Sequence, residues 1–112
     1  MFKRNERIVC KDGFEMSVQA NASAYCTPRI DNADRYSEVE VGFPNQIEPL
    51  LAQYCDDWRQ AGGHHDALND IYAYVPASKI SLICAKHGGI VSGELPAGIP
   101  YVKELRENIK KD

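Results

Sequence analysis

Val39-Glu40-Val41-Gly42-Phe43-Pro44, followed by a helical repeat from Ile47 to Tyr54, has a counterpart in Tyr72-Ala73-Tyr74-Val75-Pro76, followed by a second helical repeat from Ile80 to His87. In each stretch an alternating apolar run ends at a proline, and apolar residues then recur at the spacing of one helix face. Alternation makes a strand with one buried face, and the helical stripe supplies the surface that covers it. The pair predicts a sheet packed by helices. Neither junction carries a catalytic side chain.

Upstream, Phe14, Met16, Val18 and Ala20 alternate with Glu15, Ser17 and Gln19, and Ile8 and Cys10 alternate with Arg7 and Val9. Lys11-Asp12-Gly13 lies between them and predicts a hairpin turn. A two-residue loop at Asp12-Gly13 would pair Lys11 with Phe14. A three-residue loop with Gly13 left-handed instead pairs Cys10 with Phe14 and Ile8 with Met16, which puts the apolar set on one face. The second register is the expected one. In the third strand Val39, Val41 and Phe43 are expected inward, with Glu38 and Glu40 toward water. Asn45 and Glu48 have the spacing of a capping box, Pro49 suits a first helical turn, and Ile47, Leu50, Leu51, Tyr54, Cys55 and Trp58 follow at helical spacing. In the fourth strand Ile71, Ala73 and Val75 are expected on one face and Tyr72 and Tyr74 on the other. The second helix presents Ile80, Ile83, Cys84 and His87 on one stripe and ends at Gly88-Gly89, with Ile90 placed for a Schellman cap. Val91 to Pro100 reads as a connector, and Pro100 as the start of a short helix with Val102, Leu105 and Ile109. The expected order is therefore strand, strand, strand, helix, strand, helix, helix: an α+β two-layer sandwich with a mainly antiparallel sheet and the helices on one face.

The 112 residues, 44% hydrophobic and 26% charged, have the length and balance of a single soluble domain spanning residues 1–112. No apolar run approaches the roughly 18 residues of a spanning helix, so no membrane partner is expected and the cytoplasm is the expected location. A net charge of −3, from thirteen basic and sixteen acidic residues, argues against specific nucleic-acid binding. Four scattered cysteines, Cys10, Cys26, Cys55 and Cys84, form no Cys-x-x-Cys pair and read as reduced thiols.

Residues with recognition chemistry concentrate in two long connections and on the fourth strand. Asn21 to Tyr36 carries Tyr25, Arg29, Arg35 and Tyr36, residue types enriched at binding hot spots. The single tryptophan, Trp58, stands at the mouth of the second connection, and Tyr72 with Tyr74 would form an aromatic patch. Tyr25, Arg29, Arg35, Trp58, Tyr72 and Tyr74 are thus the candidate partner-binding residues. The bland alternative has the arginines pairing with nearby acids and the tyrosines covering the core. His64-His65 lacks the further spaced ligands a metal needs, so neither a metal site nor a cofactor is expected. Cys84 and His87 lie three apart on one helix face, yet no oxyanion donor or orienting acid stands near them in the chain. No G-x-S-x-G, H-E-x-x-H or Walker-type loop occurs, no catalytic residue is assigned, and a non-enzymatic role is expected.

The run Glu40-Val41-Gly42-Phe43-Pro44, then Glu48-Pro49-Leu50-Leu51 with Tyr54, then Tyr72-Ala73-Tyr74-Val75-Pro76, and finally Lys86-His87-Gly88-Gly89-Ile90, resembles a family of small bacteriophage and prophage accessory proteins. The resemblance covers about Lys11 to Ile90 and departs from the family between Trp58 and Asp70. It implies a phage protein in the host cytoplasm that binds a host protein or nucleoprotein complex, such as an inhibitor of anti-phage defence of the anti-CRISPR kind. The alternative it implies is a sponge for a small anionic nucleotide-type ligand, held by Arg29 and Arg35 with Tyr72 or Tyr74. The exposed tyrosine face and the amphipathic tail also make a homodimer a candidate.

Overall fold

The computed structural model describes residues 4–55 and 71–104. Five strands, β1 (Ile8–Cys10), β2 (Glu15–Gln19), β3 (Glu38–Gly42), β4 (Ile71–Pro76) and β5 (Ile90–Ser92), form one sheet in the order β4-β3-β2-β1-β5. Every neighbouring pair is antiparallel. A 3-10 helix at Pro49–Tyr54 and the helix α1 (Ala77–Lys86) complete an α+β fold dominated by sheet.

The β1–β2 hairpin takes the three-residue turn. Ile8 pairs with Met16, the Cys10 N–H donates to the Phe14 carbonyl, and Gly13 sits at φ 96°. That register puts Ile8, Cys10, Phe14, Met16 and Val18 into one core with Val39 and Val41 of β3. Leu51 of the 3-10 helix and Ile80, Ile83 and Cys84 of α1 belong to the same core. The opposite face of β2 is also sheltered. Gln19 is buried because its carboxamide accepts from the Asn5 N–H and donates to the Asn5 carbonyl, both at 2.8 Å, which lays the N-terminal arm beside the sheet.

α1 ends as its glycines dictate. The Gly89 N–H donates to the Cys84 carbonyl and the Gly88 N–H to the Ala85 carbonyl, the two bonds of a Schellman motif. Both glycines lie near φ 92°. Ile90 then enters the core and opens β5, which pairs with β1.

Five expectations are corrected. The stretch after Asn45 is a short 3-10 helix capped by Glu48, whose carboxylate accepts from the Leu50 N–H. Asn45 instead ties the hairpin, accepting from the Glu15 N–H and donating to the Gly13 carbonyl, and Ile47 lies exposed. Phe43 points outward: the chain leaves β3 at Gly42 and turns left-handed at Phe43, φ 49°, where the strand alternation stops. Tyr72 is buried beside Val75 because β4 is bulged. Val41 pairs with Tyr72 and Val39 with Val75, so Ala73 and Tyr74 together face Glu40 across the ladder. The extra residue breaks the period of two and separates the tyrosines. Finally, Val91 and Ser92 are strand, and residues 100–104 are extended rather than helical: the Ile90 N–H donates to the Val102 carbonyl, and the Glu104 N–H to the Ile90 carbonyl. Leu105 and Ile109, the rest of the expected tail stripe, lie outside the described residues.

Candidate functional site

Three of the six candidate binding residues converge. The bulge turns the Tyr74 N–H out of the β3–β4 ladder, and it donates to the Tyr25 carbonyl at 3.1 Å. The Tyr25 N–H donates to the Glu40 carboxylate at 2.9 Å, so Tyr25 is stitched to β3 and to the edge strand β4 through its own backbone. The two rings lie 6.1 Å apart at 40°. The Arg29 guanidinium sits 5.0 Å from the centre of the Tyr25 ring and reaches the Ser23 carbonyl at 3.4 Å. A cation, a half-buried ring and an exposed ring thus form a row, with Tyr74 40% exposed and held at φ 53°. A left-handed tyrosine costs on the order of 1 kcal/mol, and here that strain accompanies an outward-facing ring.

The other three do not join them. Arg35 lies against Gly98, where a β-carbon on the glycine would stand 2.7 Å from the Arg35 Cβ. Tyr72 is in the core. Trp58 lies outside the described residues, as do His64 and His65. The loop's remaining tyrosine, Tyr36, is buried, its hydroxyl donating to the Ile30 carbonyl and accepting from the Ala33 N–H. It floors a cleft of about 370 Å³ whose walls include Ala20, Ala33 and Leu95, with Asn5 and Asn32 also lining it.

A second constellation was not legible in the sequence. His87, at the end of α1, stacks on Phe14 with ring centres 4.2 Å apart and 12° between planes. Its Nδ1 lies 2.6 Å from the Asp12 carboxylate and its Nε2 2.6 Å from that of Glu48. The Glu48 side chain is wholly inaccessible, and its other oxygen accepts from Lys86 Nζ at 2.8 Å and from the Leu50 N–H at 2.9 Å. The expectation that no acid orients His87 is therefore corrected: the turn and the 3-10 helix deliver two.

Carboxylates only accept, so an imidazole bonded to one at each nitrogen is a double donor, the imidazolium. Burial disfavours that charge, but the bonds to Glu48 and Asp12 outweigh it and raise the His87 pKa. Glu48 is opposed by burial too, yet Lys86, the Leu50 N–H and His87 hold its carboxyl below the usual range. Asp12 is likewise lowered against its own desolvation by the Phe14 N–H and His87. With both nitrogens engaged, this histidine has no lone pair with which to take a proton from Cys84. The cluster fastens three elements together: the hairpin turn, the 3-10 helix and α1.

Among the described residues, no group of three or more His, Cys, Asp or Glu side chains is placed to hold a metal ion, and no helix is long and apolar enough to cross a membrane. Compared with protein-family models, with curated proteins and with solved structures, the chain matches none.

Proposed function

We propose that this chain acts by binding a macromolecular partner, in the manner of a phage accessory protein that inhibits a host protein or nucleoprotein, with Tyr25, Arg29 and Tyr74 as the centre of the contact. The observation that carries the reading is the convergence of these residues, from segments more than forty positions apart, into one aromatic–cation row braced by backbone bonds. Tyrosine and arginine are the side chains most enriched at hot spots. A row already held in place loses little conformational entropy when a partner docks on it. A catalytic reading has less support, because His87, held between two acids, has both ring nitrogens spent on ion pairs.

The alternative, a small anionic nucleotide-type ligand, keeps Arg29 beside the tyrosines but loses its second cation, since Arg35 lies against Gly98 instead.

The test is capture of partners from a bacterial host lysate by the tagged chain, compared with Arg29→Ala and Tyr74→Ala. A stoichiometric partner held by the wild type should weaken about 30-fold in each variant, the effect of losing a hot spot worth roughly 2 kcal/mol. A partner held equally by all three chains, or none at all, refutes the reading. A thermal shift with nucleotides that disappears in Arg29→Ala would favour the alternative.

A further inference from the structure

The Tyr25–Arg29–Tyr74 row stands among acids that nothing neutralises. Glu40 lies opposite Tyr74 across the β3–β4 ladder, and Glu38 sits two residues away on the same outward face of β3. Each carboxylate is fixed by a neutral donor: Glu40 by the Tyr25 N–H at 2.9 Å, Glu38 by the Thr27 hydroxyl at 2.7 Å, and Asp31 by the Ala22 N–H at 2.9 Å. Such a donor orients a carboxylate without cancelling its charge. Among the described residues none of the three is ion-paired. Residues 21–40 carry four acids and two arginines, and Arg29 is already spent on the Tyr25 ring and the Ser23 carbonyl.

We infer that the partner presents a basic protein surface to this row, with an arginine stacked on Tyr74 and paired to Glu40, and a second cation on Glu38. This takes the row to be the contact, as proposed above, and adds the chemistry of what it meets. Tyr25 displays the mode within the chain, since a guanidinium lies 5.0 Å from its ring centre. Tyr74 is 40% exposed and, among the described residues, has no cation over it. The face of a tyrosine ring attracts a cation. A guanidinium suits this place better than an ammonium, because its plane stacks on the ring while its N–H fork bonds a carboxylate. Glu40 gives one oxygen to Tyr25 and keeps the other for that fork. Carboxylates already held in place lose little freedom when a cation arrives, and the same charges repel phosphate. The contact therefore falls on protein, even where the partner also holds nucleic acid.

The experiment titrates the nitrogen-15-labelled chain with an acetylated, amidated peptide of four Arg-Gly repeats and maps the amide shifts by NMR. Expected are shifts concentrated at Tyr25, Glu38, Glu40 and Tyr74, weaker binding of the matching Lys-Gly peptide, and no binding of the Glu-Gly one. Glu38→Gln/Glu40→Gln removes charge alone, since each glutamine carbonyl still accepts from Thr27 or Tyr25. It should weaken the Arg-Gly peptide about fivefold, the effect of two surface ion pairs, and Tyr74→Ala should weaken it by about as much. If Tyr74→Ala fails to fold, the double glutamine variant still decides. Shifts confined to other surfaces, equal binding by the double variant, or a preference for an oligothymidylate over the Arg-Gly peptide overturns the inference. Should the peptide miss the row while capture from lysate depends on Arg29 and Tyr74, the basic surface is refuted and the proposed contact stands. Peptide binding at the row with capture indifferent to both residues supports the basic preference and refutes the host contact.

Discussion

Glu48→Gln isolates the charge at the centre of the His87 cluster, because the geometry divides the two carboxylate oxygens by partner. Oε2 accepts from Lys86 and from the Leu50 N–H, whereas Oε1 meets only His87 Nε2. A glutamine with its carbonyl at the first position keeps the helix cap and the lysine contact. It then presents an amide donor to His87, and two donors cannot bond. The imidazole must lose its Nε2 proton and accept, keeping Nδ1–H toward Asp12. In the wild type His87 has a raised pKa when folded, so its stabilisation is fully present below the unfolded value near 6.5 and is lost as pH rises through the folded pKa. In the variant the folded pKa falls below the unfolded one, so stability is lost as the solution is acidified below about 6.5. The gap between the two proteins should be about 1 kcal/mol at pH 8, one hydrogen bond exchanged, and should widen by up to about 1.4 kcal/mol for each pH unit below 6.5. Glu48→Ala removes all three acceptor contacts from a fully buried position and should cost about 3–5 kcal/mol near pH 6. Asp12→Asn, at a half-exposed side chain that water can replace, should cost about 1 kcal/mol or less. Urea unfolding at pH 5, 6.5 and 8 measures all four proteins, with an unchanged m-value as the control for two-state behaviour. A Glu48→Gln gap that stays constant across that range, or an Asp12→Asn loss as large as that of Glu48→Ala, refutes the assignment of an imidazolium clamped mainly by Glu48.

Three further outcomes follow from the same structure. Asp12 and Glu48 both have lowered pKa values, so their stabilisation is present above the unfolded values near 4 and lost as pH falls through the folded ones; an acid titration of His87→Gln should show a shallower loss than the wild type. Gly13→Ala meets open space and should cost only the left-handed strain, about 1 kcal/mol, whereas Gly89→Ala adds a β-carbon 2.5 Å from the Glu104 Cα and the Lys103 carbonyl and should cost several times more by thermal unfolding. A thiol reagent applied to the native protein should modify half-buried Cys55 well before Cys10, Cys26 and Cys84, as read by peptide mapping; fast labelling of Cys84 would contradict its place between α1 and the sheet.

What could be read from the chain beforehand divides by how far apart the interacting residues lie. The hairpin register and the Schellman cap are each decided within a few residues, by where Asp12-Gly13 and Gly88-Gly89 fall relative to the apolar pattern, and both stand in the structure as expected. The His87 cluster depends on partners 75 and 39 positions away, and Glu48 looked from its spacing like a helix-start residue answering Asn45. Its burial follows only once α1 is laid against the 3-10 helix, a tertiary event that no local spacing encodes. β5 leaves no trace in the local pattern, because three residues after a helix cap offer no period to measure and their partner is β1 at the far end of the sequence. The tyrosines teach the sharper lesson. Tyr72-Ala73-Tyr74 has a period of two in the sequence, which would put both rings on one face, and a single extra residue opposite Glu40 reverses that for Tyr72 alone. Because the bulge also frees the Tyr74 N–H to bond the Tyr25 carbonyl, the irregularity that defeats the periodic reading is the same one that assembles the Tyr25–Arg29–Tyr74 row. The surface with the strongest claim to recognition therefore exists where the strand departs from its own pattern, and an unbulged β4 would lack it.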